Sequence, residues 1–199
     1  MSYVDIIKKQ IKDSVCTKEK LLNDDTLIKR IEEVAHLMVE CYKNGGKVIF
    51  AGNGGSAADA QHLAGELVSK FYFDRPALAS IALTVDTSII TAIGNDYGYD
   101  MVFTRQLQAN ATSKDIFVGI TTSGNSKNVI KAFEYARSVG IKTVCLNRSC
   151  GGLIEKNNLV DYDLIMPSCE TPRVQECHTL VGHILCGLIE GEIFKSWKR

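Results

Sequence analysis

The sequence predicts an α/β protein: a three-layer α-β-α sandwich around a five-stranded parallel sheet, preceded by extra N-terminal helices. Three observations carry this. Short apolar segments alternate with segments of helical period, the pattern of strands joined by crossover helices. The strand segments are apolar throughout rather than alternating, which marks a sheet covered on both faces. Loops rich in glycine and hydroxyl groups follow the first and third strand segments, at the carboxyl ends where such sheets bind ligands.

The elements follow in order. Val4, Ile6, Ile7, Ile11 and Val15 recur at helical spacing. A second helix starts at Asn23-Asp24-Asp25, with Asp24 or Asp25 as its cap. Its apolar stripe is Leu27, Ile28, Ile31, Val34, Ala35, Met38, Val39 and Cys41, and Gly45-Gly46 ends it. Strand segments are Lys47–Ala51, Ala77–Leu83, Asp115–Ile120, Lys142–Leu146 and Asp163–Met166. Helices are expected at Ser56–Phe71 and Asn128–Val139, and a long one at Arg173–Trp197. The prolines are Pro76, Pro167 and Pro172, and no linker or repeat interrupts the chain. Residues 1–199 therefore read as one domain, with 1–45 used in packing and oligomerisation. The two N-terminal helices and the last one carry more apolar surface than one layer over five strands needs, which predicts self-association.

Hydrophobic residues make up 45% and charged residues 23% of the 199, a globular composition. Lysine plus arginine equals aspartate plus glutamate, 23 against 23, so no net charge favours non-specific binding to nucleic acid or membrane. No stretch reads as a membrane span, and residues 1–12 lack the apolar core of a signal peptide. The expectation is a cytoplasmic protein. Its seven cysteines (Cys16, Cys41, Cys145, Cys150, Cys169, Cys177 and Cys186) form no C-x-x-C and are expected as free thiols, mostly small core residues.

The loop Gly52-Asn53-Gly54-Gly55-Ser56 joins the first strand to its helix. Its glycines let a ligand approach the backbone, and the helix start offers N–H groups to an anion. A tight turn without a ligand is the alternative. With Ala57 the loop also fits G-x-G-x-x-[GA], but the acidic residue a dinucleotide site needs is missing. Asp86 falls roughly ten residues too late. The loop Thr121-Thr122-Ser123-Gly124-Asn125-Ser126 sets hydroxyls beside a second helix start, which suits a phosphate. Helix capping by Ser126 or Asn125 explains one residue of it, not Thr121, Thr122 and Ser123. His62 and Glu66 share one helical face, fit either for a metal or acid/base pair or for a surface contact. Gln175 and His183 lie about 12 Å apart along the last helix and, taken alone, say little.

Together these segments resemble the sugar isomerase (SIS) fold and, more narrowly, the phosphoheptose isomerases. The residues that carry the resemblance are 52–66, Ile93-Gly94-Asn95-Asp96-Tyr97-Gly98, 119–126 and Arg173-Val174-Gln175-Glu176. The resemblance implies a homotetramer with active sites shared between subunits. It implies that Asn53, Gly54 and Gly55 line the sugar, that Ser56, Thr121, Thr122, Ser123 and Ser126 hold the phosphate, and that Asn95 and Asp96 contact sugar hydroxyls. Zinc would be bound by His62, Glu66, Gln175 and His183. Glu66 and Gln175 would also touch substrate, and Glu66 and His183 would be catalytic. The implied reaction converts sedoheptulose 7-phosphate to D-glycero-D-manno-heptose 7-phosphate, a precursor of lipopolysaccharide or capsule heptose. Three residues depart from the family: Lys70 stands where arginine is frequent, Thr121 replaces a serine, and Pro172 replaces a polar or small residue. A rival class on the same fold binds sugar phosphates, or a replication initiator, without catalysis. A lyase or deaminating isomerase fits less well, because no second copy of the domain is present.

Overall fold

A computed structural model describes residues 2–195. Trp197, the expected end of the last helix, lies outside the described residues. Two N-terminal helices open the chain, α1 (Tyr3–Leu22) and α2 (Asp25–Lys43). Ser2 and Asp5 close a reciprocal capping box on α1, and Asp24 caps α2 through the Leu27 N–H at 2.9 Å. The sheet is β1 (Val48–Gly52), β2 (Ser80–Ala82), β3 (Ile116–Ile120), β4 (Lys142–Arg148) and β5 (Tyr162–Met166). Its five strands are all parallel in the order β2-β1-β3-β4-β5.

Alternate strand residues feed two cores, as the two-residue period of a strand demands. Val48, Phe50, Ile116, Val118, Val144 and Leu164 face one core with α2, α3 (Gly55–Val68) and α8 (Thr171–Phe194). Ile49, Ala51, Phe117 and Cys145 face the other, with α5 (Val102–Asn110), α6 (Lys127–Ser138) and α7 (Gly152–Lys156). The three-layer arrangement therefore stands as expected.

Several boundaries differ from expectation. Helix α3 stops at Val68 rather than Phe71, because the Phe71 and Tyr72 N–H groups donate to the buried Glu190 carboxylate, at 3.0 and 2.7 Å. Strand β2 is three residues long, not seven. The segment before it is held by Arg75, whose guanidinium donates to the carbonyls of Glu66, Leu67 and Ser69. Helices α4 (Thr87–Asp96), α5 and α7 were not expected. Helix α4 has no fully buried residue, and its Ile90 and Ile93 pack half-buried against the second core. Pro172 lies in the first turn of α8, the start signal that the sequence indicates. Of the thiols, Cys41, Cys145, Cys177 and Cys186 are buried, whereas Cys16, Cys150 and Cys169 are exposed. One expectation is corrected: α8 is long and apolar enough to cross a membrane by length and composition. It packs instead as a core helix against α2 and α3, with His178 and Glu190 buried along it.

Candidate active site

Strand order changes direction between β1 and β3, and the two ligand-type loops leave the sheet side by side there. Asn53 after β1 and Asn128 at the start of α6 exchange reciprocal amide hydrogen bonds of 2.9 and 2.8 Å. The Tyr99 hydroxyl donates to the Asn53 carbonyl oxygen at 3.1 Å. Sequence reasoning missed Asn128 and Tyr99, since pairings 75 and 46 residues apart leave no local signal.

Within the second loop, Thr121 is buried and its hydroxyl is the hub. Ser123 and Ser126 hydroxyls each lie 3.3 Å from it, and the Ser123 and Gly124 N–H groups donate to it at 3.3 and 3.2 Å. Gly124 has φ +66, and a side chain there would overlap the Gly151 carbonyl, so only glycine fits. Helices α1, α2 and α4 are capped by the side chains of Ser2, Asp24 and Asp86. Helices α3 and α6, which follow the two loops, have no side-chain cap, although Ser126 stands at the cap position of α6. Helix capping by Ser126 or Asn125 thus fails as an explanation of the loop. Asn125 instead accepts the Leu153 N–H at 2.9 Å. Asp86 is committed to the Ile89 N–H at 2.9 Å, which further weakens the dinucleotide reading.

Helices α3 and α8 carry the third group. Gly182 lacks a side chain where Leu63 packs, so the two helices approach closely and their neighbours His62 and His183 meet. The two Nε2 atoms are 2.7 Å apart, and Glu66 Oε1 lies 3.5 Å from His62 Nε2. All three ligand-type atoms fall within 4.8 Å of one another. The cluster is partly open, the His62 and Glu66 side chains being 47% and 23% exposed. Two imidazoles and a carboxylate form a donor set that would suit a divalent first-row ion. Gln175 packs its amide on Gly55, where a side chain would overlap it, and so lies beside the first loop. One turn before His62, burial raises the Asp59 carboxyl, opposed by a hydrogen bond from Thr179 and by His62. Glu66 and His183 come from the same chain, so sharing between subunits does not run through this pair. Asn95 and Asp96 bond to each other at 2.8 Å at the end of α4, and among the described residues neither bonds a loop residue. Lys70 is exposed just beyond α3.

The fold and these loops define a SIS-domain protein, and the SIS domain family matches residues 18–147. A phosphoheptose isomerase of Aneurinibacillus thermoaerophilus is 56% identical over 192 residues, covering 96% of both chains. Phosphoheptose isomerase 2 of Campylobacter jejuni is 54% identical over 188 residues, covering 94% of this chain and 92% of that one. The structure of a phosphoheptose isomerase from Francisella tularensis superposes with a TM-score of 0.90 at 38% identity, covering 95% of this chain and 98% of its own. The chain belongs to the phosphoheptose isomerase family.

Proposed function

We propose that the chain converts sedoheptulose 7-phosphate to D-glycero-D-manno-heptose 7-phosphate, the aldose–ketose isomerisation of its family in heptose biosynthesis. The observation that carries the site assignment is the convergence of His62, Glu66 and His183 at the α3–α8 contact, on the helix that leaves the glycine loop. Ser56, Thr121, Thr122, Ser123 and Ser126 hold the phosphate, helped by the uncapped starts of α3 and α6. Asn53, Gly54, Gly55 and Gln175 bind the sugar. With the phosphate fixed, the reacting carbons are held at the carboxylate, replacing a bimolecular search by a fixed encounter. Glu66 takes a proton from C1 of the ketose and returns it to C2. His183 moves the hydroxyl proton from O1 toward O2. The intermediate is an enediol, and hydrogen bonds to its oxygens lower the barrier. His62, Glu66 and His183 would hold zinc, with Gln175 as the fourth ligand that the family resemblance implies, and the ion would supply Lewis-acid polarisation of the carbonyl oxygen.

The functional unit is proposed as a cytoplasmic homotetramer built from a single domain, with 1–45 in its contacts. Tyr3, Val4, Ile7, Ile11 and Val15 leave an apolar face of α1 exposed. A groove of about 610 Å³ lined by Leu21, Leu22, Ile28, Ile184 and Leu188 is a second such face. Asn95 and Asp96, exposed and bonded to no loop residue among the described residues, are the residues left for a neighbour's site.

Incubation with sedoheptulose 7-phosphate, with the product read by NMR, tests the reaction, and absence of the aldose refutes it. Metal analysis of protein purified without chelator tests the zinc, and full turnover by metal-free protein removes it from the mechanism. Light scattering tests the tetramer. A mixture of Glu66→Gln and His183→Ala chains is expected to stay inactive, because both groups serve one chain's cluster. A mixture of Glu66→Gln and Asp96→Ala is expected to recover activity. Failure of the second mixture refutes sharing through Asp96.

A further inference from the structure

Cys150 and Cys169 are 19 residues apart in sequence, yet their sulfurs lie 3.0 Å from each other, and both side chains are exposed. A disulfide bond is about 2.05 Å long, so about one ångström separates this pair from a bond. The two sulfurs have unequal surroundings. Cys169 Sγ is 3.3 Å from the Ser149 hydroxyl, and Arg148 donates to the Cys169 carbonyl at 3.0 Å. The contact with Cys150, then that with Ser149, then the Arg148 charge draw the Cys169 thiol below its usual range, while the contact with Cys169 raises Cys150. The Ser149 hydroxyl and the Arg148 contact both lie on the Cys169 side, which makes Cys169 the attacking member of the pair and places Cys150 to resolve. Cys150 is also held at φ +64, a backbone conformation that side-chain-bearing residues rarely adopt.

The loop that holds Cys150 supports the phosphate loop. The Gly151 carbonyl packs on Gly124, the Leu153 N–H donates to Asn125 at 2.9 Å, and the Ile154 N–H donates to the Gly124 carbonyl at 3.2 Å. Cys169 directly precedes Glu170, the cap position of α8, which carries Gln175 and His183. We propose that Cys150 and Cys169 form a thiol–disulfide exchange site that takes a low-molecular-weight disulfide as oxidant and couples the phosphate loop to α8. In the first step the Cys169 thiolate attacks one sulfur of the small disulfide. The S–S bond breaks, one small thiolate leaves and takes up the Cys169 proton, and a mixed disulfide forms. Cys150 then attacks the Cys169 sulfur and displaces the second small thiolate, which takes up the Cys150 proton. Two protein thiols are oxidised by two electrons, and the small disulfide is reduced to two thiols. The effect on turnover rests on the isomerase reading, whereas the sulfur chemistry does not.

The test treats the reduced full chain with oxidised glutathione and maps its peptides by mass spectrometry. The expected result is a Cys150–Cys169 bridge, with two hydrogens lost from the intact mass. Cys150→Ser is expected to retain glutathione on Cys169, and Cys169→Ser to leave Cys150 largely unmodified. KM for sedoheptulose 7-phosphate is expected to change several-fold on oxidation, to revert with dithiothreitol, and to stay constant in the Cys150→Ser/Cys169→Ser protein. Glutathione found on Cys16 alone, or separately on both partners with no bridge, overturns the site. A bridge that leaves KM unchanged overturns its coupling to the phosphate loop. Reduced protein that does not turn over the sugar counts against the isomerase reading, while the bridge is still read from the mass.

Discussion

Replacing Glu190 by glutamine tests what holds the end of α3 in place. The Glu190 side chain is fully buried and the Arg75 side chain is 2% exposed. Glu190 accepts from Arg75 Nε at 3.0 Å and from the Phe71 and Tyr72 N–H groups at 3.0 and 2.7 Å. Glutamine keeps the volume but offers one acceptor oxygen, and its amide group sets a donor against one of these donors. It also strands the Arg75 charge in the interior. Removing one partner of a buried pair costs about 3–5 kcal/mol, a large part of the roughly 5–15 kcal/mol that holds a domain. With a urea slope of about 2 kcal/mol/M, the unfolding midpoint is expected to fall by about 2 M. Arg75→Met should lose a comparable amount. The double variant should lose less than the sum, since the second change removes the uncompensated charge. Arg75 also holds the Glu66 and Leu67 carbonyls at 2.9 and 2.7 Å, so kcat should fall in variants that stay folded at the assay temperature. A midpoint within about 0.3 M of the parent protein would refute the reasoning, because only a solvated pair is worth so little.

Two further outcomes are expected. Ser123→Ala should raise KM for the sugar phosphate by roughly tenfold to a hundredfold, since a hydrogen bond to a charged group is worth about 1.5–3 kcal/mol. Unchanged substrate affinity in steady-state kinetics would remove Ser123 from the phosphate site. His178 is wholly buried and burial lowers it to about 4, so the unfolded chain binds its proton before the folded one does. Stability from this residue is complete above about pH 6.5 and is lost as pH falls toward 4, by about 3 kcal/mol. Asp163, pushed up to about 6 by burial, acts the other way: the folded chain keeps a proton that the unfolded one releases, so stability falls as pH rises from about 4 to 6. Chemical denaturation across this range should therefore show a flatter acid limb for His178→Phe and a steeper one for Asp163→Asn. Parallel curves for the two variants would refute both assignments.

The sheet was legible chiefly through its central strands Val48–Gly52 and Ile116–Ile120, which are buried on both faces and so read as unbroken apolar runs. The two loops were legible because glycine and hydroxyl residues cluster where turns alone would not require them. Helix α4 was not, since it has no fully buried residue and only half-buries Ile90 and Ile93, although Asp86 before Thr87-Ser88 was an available start signal. His62 and Glu66 could be paired from their spacing, but their meeting with His183 depends on Gly182 admitting Leu63, a contact between distant segments. Arg75–Glu190 and Cys150–Cys169 escaped for the same reason. Each pair is joined only by the tertiary fold, and nothing in the residues near either partner announces the other.

The two ends of the sheet are fastened by different means. At the starts of the strands, carboxylates do the work. Asp115 accepts the Lys47 and Thr112 N–H groups and pairs with the Lys47 ammonium at 2.7 Å, and Asp161 accepts the Thr143 N–H at 2.8 Å. At the opposite end lie the hydroxyls and amides of the two loops. A graft between Gly140 and Ile141, where the φ +79 of Gly140 closes α6 and nothing crowds the residue, enters on the carboxylate end. A fluorescent probe or a short binding peptide placed there reports on the enzyme from the far side of the sheet. The same graft between Gly124 and Asn125 would be driven into Gly151. The molecule thus offers engineers one end for handles and leaves the other to chemistry.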